Sequence, residues 1–299
     1  MNNITRKLVL SALTVVLTVV ALGTTTFAWF TLTNTAVVQP FEAQIVADTG
    51  IEVSLDGVDW YTTLTTTLIE DYITNSSFTT FTHLTTAIGY SNFYTLGASG
   101  LEAAASGWLQ IPIYFRSNSA TAIDWTAVSI TSPLTPWEVD VAHLSTTGAV
   151  AALSLIDQDA SNAMRVSIQG SVGGLNNVVT YEKSSASNNN VVLGGDGSTP
   201  VDYSAGGTGA AGSYNYYYAK TGALIPGTAA VVVAPTVTAI DGTTNAQRII
   251  DLTADTTYGT SHWGQVTLRV WVEGWDADAY NSILGRMITA SFTFFGTAA

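Results

Sequence analysis

Short segments in which every second residue is apolar constrain the fold of this sequence more than any other feature. The two clearest examples place their apolar residues at Leu109, Ile111, Ile113 and Phe115 and at Val266, Leu268, Val270 and Val272. Because successive side chains of a strand point to opposite faces, this alternation predicts strands with one buried face. No amphipathic segment has the length that the helices of a βαβ series need. We therefore predict an all-β fold, an antiparallel β-sandwich with one or two short helices.

Composition restricts the classes of function. Charged residues make up only 10% of the chain, and 22 acidic against 9 basic residues give a net charge of −13. This balance argues against a nucleic-acid partner, which requires clustered Lys and Arg. Cysteine is absent, so disulfides, zinc–thiolate sites, iron–sulfur clusters and cysteine nucleophiles are excluded.

The N-terminus has the pattern of an export signal. Arg6 and Lys7 precede an apolar run from Leu8 to Gly23, and the segment TTTFA follows, with Thr26 and Ala28 at the positions where a signal peptidase requires small residues. This order predicts a signal peptide over residues 1–28, crossing the membrane only during export, and a secreted or cell-surface protein. Loss of the two basic residues lowers the net charge from −13 to −15. The alternative is a retained membrane anchor, since the apolar run counted to Phe30 is long enough to span a bilayer.

The remaining chain, residues 29–299, is predicted to form one β-sandwich domain. Residues 183–222 are rich in Gly, Ser and Asn, a composition that buries little apolar surface, so we expect a long surface loop or hairpin insertion there. Short helical pieces are expected within 62–107, and a short helix is expected at 276–285, between the last two strands.

Carboxylates supply the main candidate for a binding site. Glu273, Asp276 and Asp278 surround a glycine and could bind Ca²⁺ through their oxygens, although their spacing is not that of an EF-hand loop. The alternative is that Asp276 or Asp278 caps the following short helix. Asp48-Thr49-Gly50 matches the triplet of aspartic proteases, but that chemistry needs a second such carboxylate and the sequence has no second triplet.

Other candidate residues have ordinary structural interpretations. His83, His143 and His262 are far apart in sequence and form no metal-binding motif. Tryptophans can stack on sugars but more often lie in a core or an interface; those considered are Trp60, Trp108, Trp125, Trp137, Trp263, Trp271 and Trp275. The threonines of 62–67 are either glycosylation sites or a β-prone polar surface. Without an HExxH, GxSxG or P-loop motif, we predict neither an enzyme nor a cofactor other than calcium.

Three segments resemble one family of exported proteins. The signal segment KLVLSALTVVLTVVALGTTTFAWF looks like those of TasA and camelysin-like precursors, which are subunits of bacterial extracellular matrix fibres. IEVSLDGVDW resembles the first hairpin of related proteins, and VTLRVWVEGWDADAYNSILGRMITASFTFF is similar to their final strand–helix–strand. The resemblance implies a jelly-roll sandwich that polymerises with identical copies into a filament of the biofilm-matrix type.

In that family the N-terminal segment of one subunit pairs as an extra strand with the next. The residues that would fill the neighbour's groove are Trp29, Phe30, Leu32, Val37 and Val38. Gln39-Pro40 would end the donated strand, and the head-to-tail contact would give an open filament. One alternative is that residues 29–38 form the first strand of their own sandwich. The other is a different function, a monomeric cell-surface adhesin or glycan-binding module.

Overall fold

The protein is an all-β sandwich. The structure, a computed structural model, describes residues 41–47, 50–97, 100–145, 148–183, 213–221, 234–242 and 244–298. The predicted all-β class is therefore confirmed.

Eighteen strands are present in the described part of the chain. They are β1 Phe41–Ala47, β2 Ile51–Ser54, β3 Thr63–Leu64, β4 His83–Leu84, β5 Tyr94–Gly97, β6 Gly100–Ala103, β7 Leu109–Ser117, β8 Ala122–Thr131, β9 Thr135–Glu138, β10 His143–Ser145, β11 Gly148–Val150, β12 Leu155–Gln158, β13 Met164–Val172, β14 Leu175–Glu182, β15 Gln247–Asp251, β16 Thr253–Ala254, β17 His262–Glu273 and β18 Ile288–Thr297. The helices are α1 Thr66–Asn75 and α2 Ser213–Thr221, with 3₁₀ turns at Ala160–Ala163 and Asn281–Ile283.

One sheet has five strands in the order β15-β8-β18-β1-β3. Its pairs are antiparallel except for β1 and β18, which run parallel with Phe41 opposite Ile288 and Ala47 opposite Phe294. The predicted antiparallel sandwich is confirmed, and this parallel pair is an exception within it. A parallel pair needs a long connection between its strands, and here almost the whole chain separates the first strand from the last.

The second sheet has the order β14-β13-β17-β7-β2, and the short β4 and β16 also pair with β17. The alternating residues of β7 and β17 point into the core between the two sheets, as predicted. The far end of β17 is buried on both faces, because Leu84, Phe93 and Trp108 pack against Trp271 on the outer side.

Along each of the two edges where the sheets meet, short local structures connect one sheet to the other. On one side, Tyr61 pairs with Val53 of the seven-stranded sheet, and β3 follows in the five-stranded sheet. The predicted helical piece is α1, which begins immediately after β3 and buries Ile69 and Ile73. On the other side, β13 passes so close to β15 that a Cβ on Gly170 would lie 2.3 Å from the carbonyl oxygen of Ile249.

Two expectations about helices needed correction. The region 183–222 is not all loop or hairpin, because α2 lies within it and buries Tyr216 and Tyr217. The helix expected at 276–285 is reduced to the single 3₁₀ turn at Asn281–Ile283. Residues 273–280 instead form successive tight turns, with the amide of Asp276 bonded to the carbonyl of Glu273.

The end of the sandwich at which β1 starts is called the upper end. Phe41 lies opposite Ile288, and Thr289 lies opposite Thr131, so β1, β18 and β8 meet there. A ribbon of β9 and β12 and a second ribbon of β10 and β11 follow β8 in the chain. The upper end carries these two ribbons, the helix α2 and the connection formed by residues 274–287.

Candidate functional site

The strand β1 has a complete partner on one side only. All seven of its residues are aligned with β18, whereas β3 aligns only with Ile45 and Val46 on the other side. The amide of Ala47 continues this short contact by donating to the carbonyl of Thr62 at 3.0 Å. Among the described residues, no strand pairs with this side of β1 from Phe41 to Gln44. Unpaired strand edges can accept a strand from another chain.

The predicted donor residues Trp29, Phe30, Leu32, Val37 and Val38 lie outside the described residues, as do the signal segment 1–28 and Asp48-Thr49. Their predicted roles stay predictions. Within the described ranges, no helix is both long and apolar enough to cross a bilayer.

The predicted calcium ligands belong to a buried network of charges centred on Arg165. Arg165 lies in β13 and is fully buried. Its Nη2 donates to Asp276 Oδ2 at 2.6 Å and to Glu182 Oε2 at 2.7 Å. Glu273 accepts bonds from the indole of Trp271 at 3.3 Å and from a backbone amide at 3.2 Å. The network joins β13, β14, β17 and the connection after β17.

Burial dominates the protonation of these acids. Burial raises the pKa of Glu273 to about 7, against the opposing effect of Arg165. Burial likewise raises the pKa of Asp276 to about 6, although Arg165 favours its ionised form. Burial and the charge of Asp276 raise the pKa of Asp278 to about 7. Because one guanidinium faces several buried carboxyls, these acids titrate as a coupled group.

The helix-capping alternative for these acids was wrong. Tyr280 occupies the N-cap position of the 3₁₀ turn, without a side-chain hydrogen bond. Asp276 Oδ1 accepts instead from the amide of Asp278 at 2.8 Å, inside the preceding turn. In the described part of the chain, no group of three His, Asp or Glu residues is arranged to hold a metal ion. Asp276, one of the predicted calcium ligands, bonds instead to Arg165.

The three histidines lie on different strands. His83 is in β4, His143 in β10 and His262 in β17. Burial lowers the pKa of His83 to about 4, and burial also lowers the pKa of His143. Both are therefore neutral at pH 7, and their rings pack among neighbouring side chains.

Most of the tryptophans considered for sugar stacking are structural. Trp125, Trp271 and Trp275 are buried. Trp108 stacks on Phe93 at 4.6 Å, and Trp137 packs on Tyr216 at 5.2 Å.

Trp60 and Trp263 differ from the others because both are half-buried on the outside of the seven-stranded sheet. Each ring contacts Tyr258, with centroid distances of 5.4 and 4.8 Å. The guanidinium of Arg116 lies 4.4 Å from the Trp60 ring centroid and donates to Glu52 at 2.7 Å. This aromatic patch is the part of the tryptophan set that remains a candidate for glycan contact.

Sequence reasoning missed the anchoring of α2. Tyr216 donates to Asp140 Oδ1 at 2.8 Å, and Lys220 forms an ion pair with the same carboxylate. The side-chain oxygen of Asn215 accepts from the amide of Leu144 at 2.6 Å. Burial and the bond to Asp140 raise the pKa of Tyr216 to about 12. The run of tyrosines in this Gly-rich region was the sequence feature that could have indicated a packed segment there.

A cleft of about 270 Å³ lies beside α1. It is lined by Leu55, Asp56, Asp59, Tyr61, Leu64, Leu68, Asp71, Tyr72 and Asn75. Its carboxylates and the absence of a basic lining residue disfavour an anionic ligand.

Comparison of the chain with protein-family models, curated proteins and solved structures found no match.

Proposed function

We propose that this chain is a secreted structural subunit that polymerises head-to-tail into an extracellular filament and performs no catalysis. In this proposal the N-terminal segment of one copy adds a strand to the next copy. The observation that carries the proposal is the one-sided pairing of β1 between Phe41 and Gln44.

The backbone of β1 offers hydrogen-bonding groups on its open side. The amide of Ala47 points towards β3, since it donates to Thr62. Backbone groups two residues apart point to the same side of a strand, so Phe41 and Ala43, which β3 does not reach, present theirs in the same direction. An added strand would bond to these groups, and each hydrogen bond would contribute about 0.5–1.5 kcal/mol.

The sequence supports a donated strand. Residues 29–38 are apolar or hydroxylated except for Asn34 and carry no charged side chain, and Gln39-Pro40 separates them from β1. Proline lacks the amide that a continuous central strand would need. The resemblance of the N-terminal and C-terminal segments to TasA and camelysin-like precursors supports the same arrangement.

Head-to-tail addition explains why a filament, rather than a closed dimer, is proposed. The donated segment and the edge of β1 are different surfaces, so each copy can give one and receive one. The strongly negative net charge opposes association through repulsion that salt screens. Polymerisation should therefore improve as salt concentration rises.

The test compares mature protein, residues 29–299, with a version that starts at residue 39. We expect filaments in electron micrographs, and fast-sedimenting material, only for the longer protein. Polymers that persist after removal of 29–38 would refute strand donation. Strictly monomeric particles of the longer protein at high concentration would refute polymerisation itself.

A pair of proline variants tests the edge of β1 without truncation. Ala43→Pro removes an amide from the open side, and Gln44→Pro removes one from the side of β18. We expect Ala43→Pro to retain the fold and lose polymers. Gln44→Pro should lower the melting temperature, because it breaks an existing pair. Polymerisation of Ala43→Pro at the wild-type concentration would contradict the proposed edge.

The aromatic patch supports a second candidate function, a glycan-binding module. Half-buried Trp60 and Trp263 lie near the charged groups of Glu52 and Arg116, a combination that suits stacking and hydrogen bonding to a sugar. Retention on a polysaccharide column that Trp60→Ala abolishes would favour this function. No retention on a broad panel of glycans would remove it.

A further inference from the structure

The cleft beside α1 has an apolar interior. Leu64 lines it and is fully buried, so this leucine lies at the bottom. Leu55, Tyr61, Leu68 and Tyr72 line it as well and are half-buried. Its volume of about 270 Å³ is slightly below the roughly 300–1,000 Å³ of pockets that hold drug-sized ligands. A mainly apolar pocket with a few polar groups is the usual form of a small-molecule site, and this one has the size for a compact ligand.

The helix α1 presents one face to the cleft. The residues of α1 that line it are spaced i, i+3, i+4 and i+7 and therefore share one side of the helix, namely Leu68, Asp71, Tyr72 and Asn75. The buried residues of this helix are Ile69 and Ile73, on the neighbouring stripe that packs into the core. Part of the apolar surface of Leu68 and Tyr72 therefore stays open to a ligand.

Three carboxylates surround the apolar interior, and none of the residues that line the cleft is basic. Asp56, Asp59 and Asp71 are all exposed. Hydrogen bonds from the amides of Val58 and Asp59 lower the pKa of Asp56, so its carboxylate is charged at neutral pH. Among the residues that the structure describes, none bonds to the carboxylate of Asp59 or Asp71. Charge complementarity therefore favours a positively charged occupant.

A metal ion and a second copy fit this cleft less well than a small organic cation. No three Asp, Glu or His side chains of the described residues are grouped closely enough to hold a metal ion, so the carboxylates of the cleft act as separate charges. The exposed basic side chains of the described ranges, Lys220 and Arg248, already form ion pairs within their own chain. An organic cation can place its hydrocarbon part on the leucines and its charge near the carboxylates and the tyrosine rings, which also attract cations.

We propose that the cleft beside α1 binds a small organic cation, an ammonium group attached to a compact apolar body. The body lies against Leu64 and Leu68, and the ammonium group lies among the carboxylates of Asp59 and Asp71. This site does not depend on strand donation, so either proposal can fail without the other.

Three probes of similar size separate the effect of charge from that of apolar contact. Phenethylamine is a cation at neutral pH, phenethyl alcohol is uncharged, and hydrocinnamate is an anion. Titration calorimetry measures their binding to the mature protein, residues 29–299. We expect the amine to bind with a millimolar dissociation constant and the alcohol to bind about fivefold more weakly, the factor that one charge pair about 4 Å apart contributes in water. Hydrocinnamate should not bind.

Three variants locate the site. Asp71→Asn removes one charge from the cleft and should weaken binding of the amine by about two- to fivefold, without affecting the alcohol. Asp157→Asn is the matched control, because Asp157 is an exposed acid of β12 that does not line the cleft. Leu68→Ser removes apolar surface and should weaken the amine and the alcohol alike. The melting temperature of each variant shows whether it is folded.

Four results would overturn the proposal. They are no binding of the amine at tens of millimolar, equal affinity for the amine and the alcohol, equal losses in Asp71→Asn and Asp157→Asn, and unchanged binding in folded Leu68→Ser. Equal losses in the two aspartate variants would mean that the amine is attracted only by the net charge of the chain. Displacement of the amine by an equal concentration of calcium would assign the cleft to a metal ion and would also overturn the proposal.

Discussion

Removal of the guanidinium at Arg165 is the most informative test of the buried charge network. Arg165 and Asp276 are fully buried, and one nitrogen of the guanidinium bonds to both Asp276 and Glu182. In Arg165→Met these carboxyls lose their cation and stay in the interior. Breaking a buried pair in this way costs about 3–5 kcal/mol. At roughly 2–4 °C for each kcal/mol in a protein of this size, the melting temperature should fall by about 6–20 °C.

The loss should depend on pH. Burial raises the pKa of Asp276 even beside Arg165, so without the guanidinium its carboxyl is protonated more readily at about pH 5.5 than at about pH 7.5. Chemical denaturation at both pH values measures the free energy of unfolding of the wild type and the variant. We expect the difference between them to be at least halved at the lower pH. Adding Asp276→Asn to the variant should recover part of the loss at the higher pH.

Arg248→Met is the matched control for this experiment. Arg248 also forms ion pairs with Asp124 and Asp251, but its side chain is 42% exposed. Exposed pairs contribute about 0–1 kcal/mol. Equal losses in Arg165→Met and Arg248→Met, or a loss in Arg165→Met that does not change with pH, would refute the reasoning.

Three further outcomes follow from the same structure. The raised pKa values of Glu273, Asp276 and Asp278 mean that these carboxyls bind protons more readily in the folded protein than in the unfolded chain, so they increase the free energy of unfolding as pH falls from about 7.5 to 5.5. The lowered pKa values of His83 and His143 act in the opposite direction over the same interval. Glu273→Gln removes one of the stabilising contributions, so denaturation curves of this variant should show less stabilisation, or more loss, on acidification than the wild type; an unchanged pH dependence would contradict the assignment. Because Arg165 already pairs with Asp276, adding calcium or a chelator should leave the melting temperature unchanged, and stabilisation by about 1 mM calcium would support the predicted site. Gly170→Ala should lower the free energy of unfolding by about 1–3 kcal/mol, since the new methyl group meets backbone rather than a movable side chain; wild-type stability of that variant would contradict the close approach of β13 to β15.

The strands of the core could be predicted because their sequence pattern is local. Leu109 to Phe115 and Val266 to Val272 alternate in sequence, and the same residues are buried in the structure. The parallel pairing of β1 with β18 had no such signal. It depends on where the two ends of the chain meet, which no local pattern records.

The buried charge network around Arg165 could be predicted only in part, for a different reason. Arg165 alternates with Met164 and Val166 on β13, a pattern that would place it on a solvent-facing side. It is buried because other parts of the chain, including the connection that carries Asp276, cover that face. The sequence did indicate that Glu273, Asp276 and Asp278 are close together. Their role could not be read without their partner, which lies more than 100 residues away.

Helices were predictable where propensity and burial agreed. The helical piece expected within 62–107 exists as α1, whose Ile69 and Ile73 face the core. The helix α2 was missed because its surroundings in sequence are rich in glycine and serine. Its tyrosines are held by Trp137 and Asp140, which belong to a distant part of the chain.

The central claim, that copies of this chain join through a donated strand, is tested most directly by electron cryo-microscopy of the mature protein under polymerising conditions. We predict a helical array in which residues 29–38 of one copy lie beside Phe41–Gln44 of the next. Particles that contain a single copy, or a polymer in which residues 29–38 pair with β1 of their own chain, would contradict it.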